Sequence, residues 1–136
     1  MEDYYIEFPG MDMVSTYTAD ENIMMNREKT DIPIKDSRIY LSPEVFKDDA
    51  LILDEFPERI IKLRNDKNGR GIDVGFGDFK YLGLWTKYMR SNYVCIEPWS
   101  SLPDCNYIGK ELFEKIDIRL LKPGTKETLT YTIKVI

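Results

Sequence analysis

Two aromatic segments contain the residues best suited to chemistry. They are residues 81–87, YLGLWTK, and residues 93–99, YVCIEPW. Because successive side chains of a strand point to opposite faces, Trp85 and Lys87 share one face of the first segment, and Tyr93 and Glu97 share one face of the second. If the two strands are neighbours, a carboxylate, an ammonium group and an indole line one concave patch.

Such a patch suits a sugar. A pyranose has apolar C–H faces that pack on indole rings, and it has a rim of hydroxyls that needs polar partners. We therefore predict that Trp85 and Trp99 are sugar platforms beside Glu97. A carboxylate that indoles shield from water also accepts a proton more readily. In the alternative interpretation, both tryptophans are core residues and Glu97 ends a strand at the surface.

The composition excludes several classes of protein. The chain contains no histidine, so it holds no complete site that needs imidazole. Its net charge of −5 argues against nucleic acid and anionic membranes as partners. Cys95 and Cys105 form no metal pattern and are expected to be reduced. We expect no metal and no cofactor. Neither a secretion signal nor a membrane-spanning run is present, which predicts a soluble, cytoplasmic protein.

The elements that position these residues are predicted to be strands. Residues 128–136 alternate in polarity and are expected to form a hairpin with residues 116–121 through the Pro123-Gly124 turn. A second hairpin is expected between residues 59–64 and 71–76, with Asn68-Gly69 in its turn. Further strands are predicted at residues 4–8, 14–19, 39–41, 50–54, 82–86 and 93–97.

Helix is expected to be scarce. Single turns are predicted at residues 42–47 and 109–115, with Ser42 as the N-cap of the first. Residues 20–37 are polar and weakly periodic, so they are expected to form a long loop. The prediction is one all-β domain over residues 1–136, an antiparallel β-sandwich of eight to ten strands.

Four segments together resemble a known family. They are DALIL at residues 49–53, NGRGIDV at residues 68–74, LGLWTK and CIEPW. In this order they are similar to the C-terminal half of the aldose 1-epimerase, or galactose mutarotase-like, family, and most similar to its bacterial branch with an EPW motif. The resemblance implies part of a large β-sandwich, a supersandwich, whose concave face binds an aldose monosaccharide. It also implies isomerisation at the anomeric carbon.

The resemblance gives individual residues a role. It places Glu97 at the position of the glutamate base, and it places a sugar-binding aspartate at Asp49, with Asp48 as an equally good register. The family's histidine acid and substrate-binding arginine lie in an N-terminal half that has no counterpart here. Lys87 and Tyr93 are possible proton donors, but lysine and tyrosine normally titrate near pH ~10 and are poorly matched to this step.

Three functions remain open at this point. The first is a mutarotase-like isomerase or its truncated remnant, the second a non-catalytic carbohydrate-binding module, and the third an assembly role without a ligand. Half of a sandwich leaves an open sheet edge and an uncovered apolar face. We therefore expect a homodimer, or a second chain that covers them.

Overall fold

The computed structural model describes residues 1–87 and 92–136. These residues contain ten strands and two short 3-10 turns. The turns span Pro43–Phe46 and Leu112–Glu114. The strands are β1 Tyr4–Glu7, β2 Met13–Ala19, β3 Met25–Pro33, β4 Arg38–Tyr40, β5 Leu51–Leu53, β6 Ile60–Asn65, β7 Gly71–Gly75, β8 Tyr81–Trp85, β9 Cys95–Trp99 and β10 Thr132–Val135. The all-β prediction is confirmed.

One layer is a five-stranded antiparallel sheet in the order β10-β7-β6-β1-β4. The β6–β7 pair is the second predicted hairpin, and its register runs from Ile60 opposite Gly75 to Arg64 opposite Gly71. Gly69 adopts a φ of 70° in the connecting turn, a conformation that glycine reaches without a steric penalty. The hairpin prediction is therefore confirmed.

The other layer contains a three-stranded sheet in the order β5-β8-β9 and a β2–β3 ribbon. Alternate residues of the two layers meet in one apolar core, which makes the fold a sandwich. This core includes Ile6, Ile61 and Val74 from the five-stranded sheet and Leu51, Leu53, Leu82 and Leu84 from the three-stranded sheet.

A side chain connects the ribbon to the three-stranded sheet. The Thr16 hydroxyl on β2 accepts a hydrogen bond from the backbone N–H of Ile52 on β5, at 2.8 Å. Both residues are buried. Since a buried N–H without an acceptor is costly, this hydroxyl takes the place of a backbone carbonyl at the joint.

The predicted C-terminal hairpin is wrong. Residues 116–121 form no strand, and β10 pairs with β7 instead, Ile133 lying opposite Val74. Asp117 has a φ of 58°, which no strand residue adopts. Its carboxylate accepts hydrogen bonds from Tyr81 Oη at 2.5 Å and Lys80 Nζ at 2.6 Å. These contacts with the start of β8 hold the segment in a turn.

The predicted loop at residues 20–37 is also wrong, because it contains the nine-residue strand β3. The strand pairs with β2 in a two-stranded ribbon, and most of its side chains are partly or fully exposed. Only Met25 at its start is buried. A strand solvated on both faces lacks the alternation from which half-buried strands are predicted.

The remaining local predictions are confirmed with small shifts of boundary. The first helical turn has Ser42 in the N-cap position and Pro43 at its first residue. Strand β9 begins at Cys95, two residues later than expected. No helix of the described residues is long and apolar enough to cross a membrane.

Replacing Thr16 with valine tests the joint between ribbon and sheet. The substitution keeps the shape of the side chain but leaves the Ile52 N–H without its acceptor, so we expect a loss of about 1–3 kcal/mol in the free energy of unfolding. Urea denaturation measures it. Ser15→Ala, whose hydroxyl makes an exposed hydrogen bond on the same strand, is the control and should change stability by less than about 0.5 kcal/mol. Equal effects of the two substitutions would contradict the role of Thr16.

Candidate functional site

Strand β8 lies at the centre of the three-stranded sheet. Gly83 is opposite Ile52 of β5 on one side and opposite Glu97 of β9 on the other. Trp85 is opposite Cys95 in the same register. Directly opposed residues of antiparallel strands share a face. The two aromatic segments are thus neighbouring strands, which is the condition that the predicted patch required. We call this side of the sheet the site face. It carries Gly83, Trp85, Glu97 and Trp99.

The Trp99 indole lies across β8 at Gly83. A Cβ placed on Gly83 would be 2.9 Å from the nearest carbon of that ring, which is closer than real Cβ contacts come. The absence of a side chain at Gly83 therefore makes room for the indole. Gly83 is also the partner of Glu97, which lies two residues before Trp99 on β9. The Trp99 ring, reaching across β8 at Gly83, therefore lies at the same level of the sheet as Glu97.

Asp49 meets the other tryptophan. The Trp85 indole Nε1 donates a hydrogen bond to Asp49 Oδ1 at 2.8 Å. Asp49 immediately precedes β5 and has a φ of 83°, which a non-glycine residue adopts only at a steric cost, although aspartate tolerates it better than most. Of the two aspartates between which the sequence left the choice, Asp49 is thus the one bonded to Trp85.

The remaining predicted site residues lie at the margin. Tyr93 packs against Trp85 with ring centroids 6.2 Å apart. Lys87 is exposed two residues after the end of β8. The site face therefore carries Trp85, Trp99 and Glu97, and Asp49 lies beside it just before β5. Lys87 lies beyond the end of β8.

Cys95 is affected by its position two residues before Glu97 on the same face. Partial burial raises the pKa of its thiol, and the neighbouring Glu97 carboxylate raises it further. A thiol whose ionisation is disfavoured in this way is a poor nucleophile at neutral pH. A hydrogen bond between the two side chains also contributes to the raised pKa of Cys95.

Two tyrosines extend the site face towards the β2–β3 ribbon, and the sequence analysis missed both. Tyr17 and Tyr81 meet edge to face with centroids 6.4 Å apart. The Tyr17 hydroxyl donates to Asp54 at 2.7 Å, and the Tyr81 hydroxyl donates to Asp117. Burial and these carboxylate partners raise the pKa of both phenols. Their protons are held and are not released at neutral pH.

Lys29 joins Tyr17 in binding the Asp54 carboxylate. Lys29 Nζ lies 2.6 Å from oxygens of both Asp54 and Glu55, and it stands 4.8 Å from the centroid of the Tyr17 ring. Partial burial lowers the pKa of Lys29, but the hydrogen bonds to the two carboxylates outweigh burial and raise it overall. No spacing in the sequence indicates this group, because its members lie on separate strands and loops.

A cavity of about 540 Å³ borders Asp49. Its volume is within the range of ~300–1,000 Å³ that small-molecule sites occupy. The lining combines threonines of the ribbon, Thr16, Thr18 and Thr30, with Glu44, Lys47, Asp48 and Asp49 of the following segment. Within residues 1–87 and 92–136, no group of three or more carboxylate or thiol side chains is arranged to hold a metal ion.

Comparison with known proteins gives relatives of about twice this length. The chain is 28% identical over 137 aligned positions to Protein LacX of Lactococcus lactis subsp. lactis, in both its plasmid and chromosomal forms. The alignment covers 99% of this chain and 46% of those proteins, so the chain spans about half the length of the curated relatives it matches. No protein-family model matches.

Solved structures also match this chain along its whole length with about half of theirs. A galactose mutarotase related enzyme from Lactobacillus acidophilus superimposes with a TM-score of 0.86 at 29% identity, over 99% of this chain and 45% of that one. A galactose mutarotase-like protein from Lactobacillus casei superimposes with a TM-score of 0.81 at 17% identity, over 100% of this chain and 47% of that one. The chain therefore resembles one half of an aldose 1-epimerase, and its fold is galactose mutarotase-like.

Replacing Gly83 with alanine tests the position of Trp99. The new methyl group overlaps the indole, so the ring must move, and we expect a loss of roughly 1–3 kcal/mol in stability together with a changed tryptophan emission spectrum. Gly77→Ala is the matched control, because a Cβ there meets no atom within 4 Å. Indistinguishable spectra and stabilities for the two variants would show that Trp99 does not depend on Gly83.

Replacing Glu97 with glutamine tests where its carboxylate points. Loss of the negative charge removes a cause of the raised pKa of Cys95, so the pKa should fall and the thiol should react with an alkylating reagent at lower pH than in the native protein. The rate of alkylation as a function of pH measures the shift. Cys105 is buried and should stay unreactive in the folded protein. An unchanged profile would place the Glu97 carboxylate away from Cys95.

Proposed function

We propose that the chain binds an aldose on its site face and that Glu97 serves as the general base of a mutarotase-like reaction. The observation that carries the proposal is the Trp99 indole lying over Gly83, opposite Glu97. An aromatic surface beside a carboxylate offers both contacts that a pyranose needs. The fold shared with a galactose mutarotase related enzyme supports the same substrate class.

Binding is divided among the site residues in this proposal. Trp85 and Trp99 pack against the apolar faces of the sugar. Asp49 already accepts the Trp85 indole N–H with Oδ1, and its other oxygen accepts a sugar hydroxyl. Lys87 donates to a hydroxyl at the open end of β8.

The chemistry begins at the anomeric hydroxyl. The Glu97 carboxylate accepts its proton, the O–H electron pair forms the carbonyl bond, and the bond from the anomeric carbon to the ring oxygen breaks. The ring oxygen takes a proton from a general acid. Rotation about the adjacent C–C bond then presents the other face of the aldehyde, and reversal of both proton transfers closes the ring in either configuration.

The general acid is the part that we propose to come from another chain. Tyr17 and Tyr81 hold their protons through carboxylate partners, and Tyr93 and Lys87 belong to side-chain types that are poor acids at neutral pH. A second copy of this chain adds no imidazole, because the sequence contains no histidine. A histidine acid therefore has to come from residues outside this sequence. The free thiols of Cys95 and Cys105 fit a cytoplasmic setting for such an assembly.

A non-catalytic carbohydrate-binding module is the second candidate function. It is favoured by the two tryptophans on the site face, together with the lack, among the described site residues, of a side-chain type with the acidity that ring opening needs. In this case sugar binding persists and the anomers do not exchange faster than in buffer.

Polarimetry of freshly dissolved glucose or galactose distinguishes the two functions. If the chain catalyses mutarotation, Glu97→Gln should lower the rate above buffer by ~10²–10⁴-fold, because that is the usual contribution of a general base. Glu58→Gln, at an exposed position, is the control and should keep the native rate. Equal rates for native protein and Glu97→Gln, both above buffer, would reject Glu97 as the base.

Tryptophan emission during a sugar titration provides the second readout. A sugar-dependent change without rate acceleration selects the binding module. Loss of that change in Trp99→Phe, with the fold intact by circular dichroism, supports the site face as the binding surface. An unchanged spectrum at high sugar concentration, with no acceleration, would contradict both functions.

A further inference from the structure

Tyr81 occupies the place directly opposite Trp99. The two residues are partners in the β8–β9 register, and Tyr81 precedes Gly83 by two positions, so it shares the face of Gly83. Directly opposed Cβ atoms lie about 4.5–5.5 Å apart, and the diagonal neighbour is still within reach of an aromatic ring. Trp99 uses the diagonal, because its indole lies over Gly83. The direction of the Tyr81 ring therefore decides where the indole can lie.

The Tyr81 ring is held by an aromatic contact and by a hydrogen bond. The residue is 1% exposed, and its ring meets Tyr17 edge to face. Its hydroxyl donates to Asp117 Oδ2 at 2.5 Å. A buried hydroxyl needs an acceptor, and a carboxylate binds it more strongly than a neutral group does. Asp117 therefore fixes the hydroxyl end of the ring.

Asp117 stands at a turn position that favours glycine or asparagine. The backbone N–H of Ile118 donates to the carbonyl of Lys115 at 3.2 Å, so residues 115–118 form one turn with Asp117 in the third place. The φ of Asp117 is 58°, and turns with a positive φ at this place usually contain glycine or asparagine there. Glycine would fit the backbone without strain, but it would leave the Tyr81 hydroxyl without its acceptor.

The turn is anchored to the buried cluster against which Trp99 packs. The backbone N–H of Leu102 donates to the carbonyl of Ile116 at 3.3 Å. Leu102 is buried in that cluster together with Tyr81, and the side chains of Ile116 and Trp99 both pack against it. Because a close-packed cluster transmits displacement, the position of the turn affects the position of the indole.

Lys80 is the second donor to the Asp117 carboxylate. Its Nζ lies 2.6 Å from Oδ2. The hydrogen bonds from Lys80 and Tyr81 hold the pKa of the Asp117 carboxyl below its usual range, so the acceptor stays ionised at neutral pH. The Lys80 side chain is about half exposed, and an exposed ion pair contributes little to stability. Loss of the lysine therefore leaves the bond between Asp117 and Tyr81 in place.

From these contacts we infer that Asp117 is a positioning residue of the site face. It holds Tyr81, which occupies the place opposite Trp99, and the indole consequently lies over Gly83 at the level of Glu97. Asp117 acts through Tyr81 and is not a sugar ligand. Its effect on sugar binding rests on the proposed function, whereas its effect on the indole does not.

The emission of Trp99 tests the inference without a sugar. The chain has two tryptophans, so Trp85→Phe leaves Trp99 as the only one. In this background Asp117→Gly and Tyr81→Phe each remove the hydrogen bond and should shift the emission maximum to longer wavelength, because an indole that leaves β8 meets more water. Asp117→Asn should keep the spectrum, since its amide oxygen accepts from Tyr81 and asparagine tolerates a positive φ.

Lys80→Gln is the matched control and should also keep the spectrum. Circular dichroism verifies the fold of each variant. Identical spectra for all four variants would overturn the inference, and so would a shift in Lys80→Gln as large as that in Tyr81→Phe. Asp117→Gly changes a partly exposed turn residue, so it decides the question if the buried substitution Tyr81→Phe does not fold.

A titration with glucose or galactose separates positioning from chemistry. With Trp85 present, Asp117→Gly should raise the dissociation constant about three- to tenfold, the effect of one lost hydrogen bond, and Asp117→Asn should restore it. The rate of mutarotation at saturating sugar should stay unchanged, because Glu97 is untouched. An unchanged dissociation constant beside a shifted emission would overturn the positioning role. A native chain that binds neither sugar contradicts the proposed function, and the emission of Trp99 then decides the inference alone.

Discussion

The alternation of side chains along β8 is the constraint on which the rest of the structure depends. One set of its residues, Leu82 and Leu84, is buried in the core between the two layers. The other set, Gly83 and Trp85, faces away from that core and meets Glu97 and Cys95 of the next strand. A single central strand thus fixes the stability of the sandwich and the composition of the site face. A shift of register by one residue would exchange the two sets.

A second, smaller hydrophobic cluster shields part of the site face from water. Met25, Ile52, Tyr81, Leu102 and Cys105 are buried together there, and Trp99 packs against them. Tyr17 and Tyr81 lie at the border of this cluster, and each donates its hydroxyl hydrogen bond to a carboxylate. The partly buried hydroxyls of this layer are therefore hydrogen-bonded. The Trp99 indole therefore packs against this cluster, and it lies over Gly83.

The sequence predicted most of what depends on alternation. The β6–β7 hairpin, the strands flanking the core and the shared face of Trp85, Glu97 and Trp99 follow from a period of two and from turn residues. Strand β3 was missed because both of its faces are solvated. The partner of the last strand was wrong because Asp117 is fixed by contacts with Tyr81 and Lys80, which are distant in the sequence. The role of Gly83 could not be predicted, and neither could the hydrogen-bonded group of Tyr17, Lys29 and Asp54. Each depends on the relative placement of separate strands.

Asp49 shows how a local backbone conformation determines what a side chain does. Its left-handed φ interrupts the alternation that leads into β5, and its carboxylate accepts a hydrogen bond from the Trp85 indole. The hydrogen bond places the carboxylate beside the indole at the start of β5. The same conformation narrows the acceptable substitutions at this position to asparagine and glycine, because other side chains resist a positive φ. A random mutational library should therefore tolerate change at Asp48 far more widely than at its neighbour.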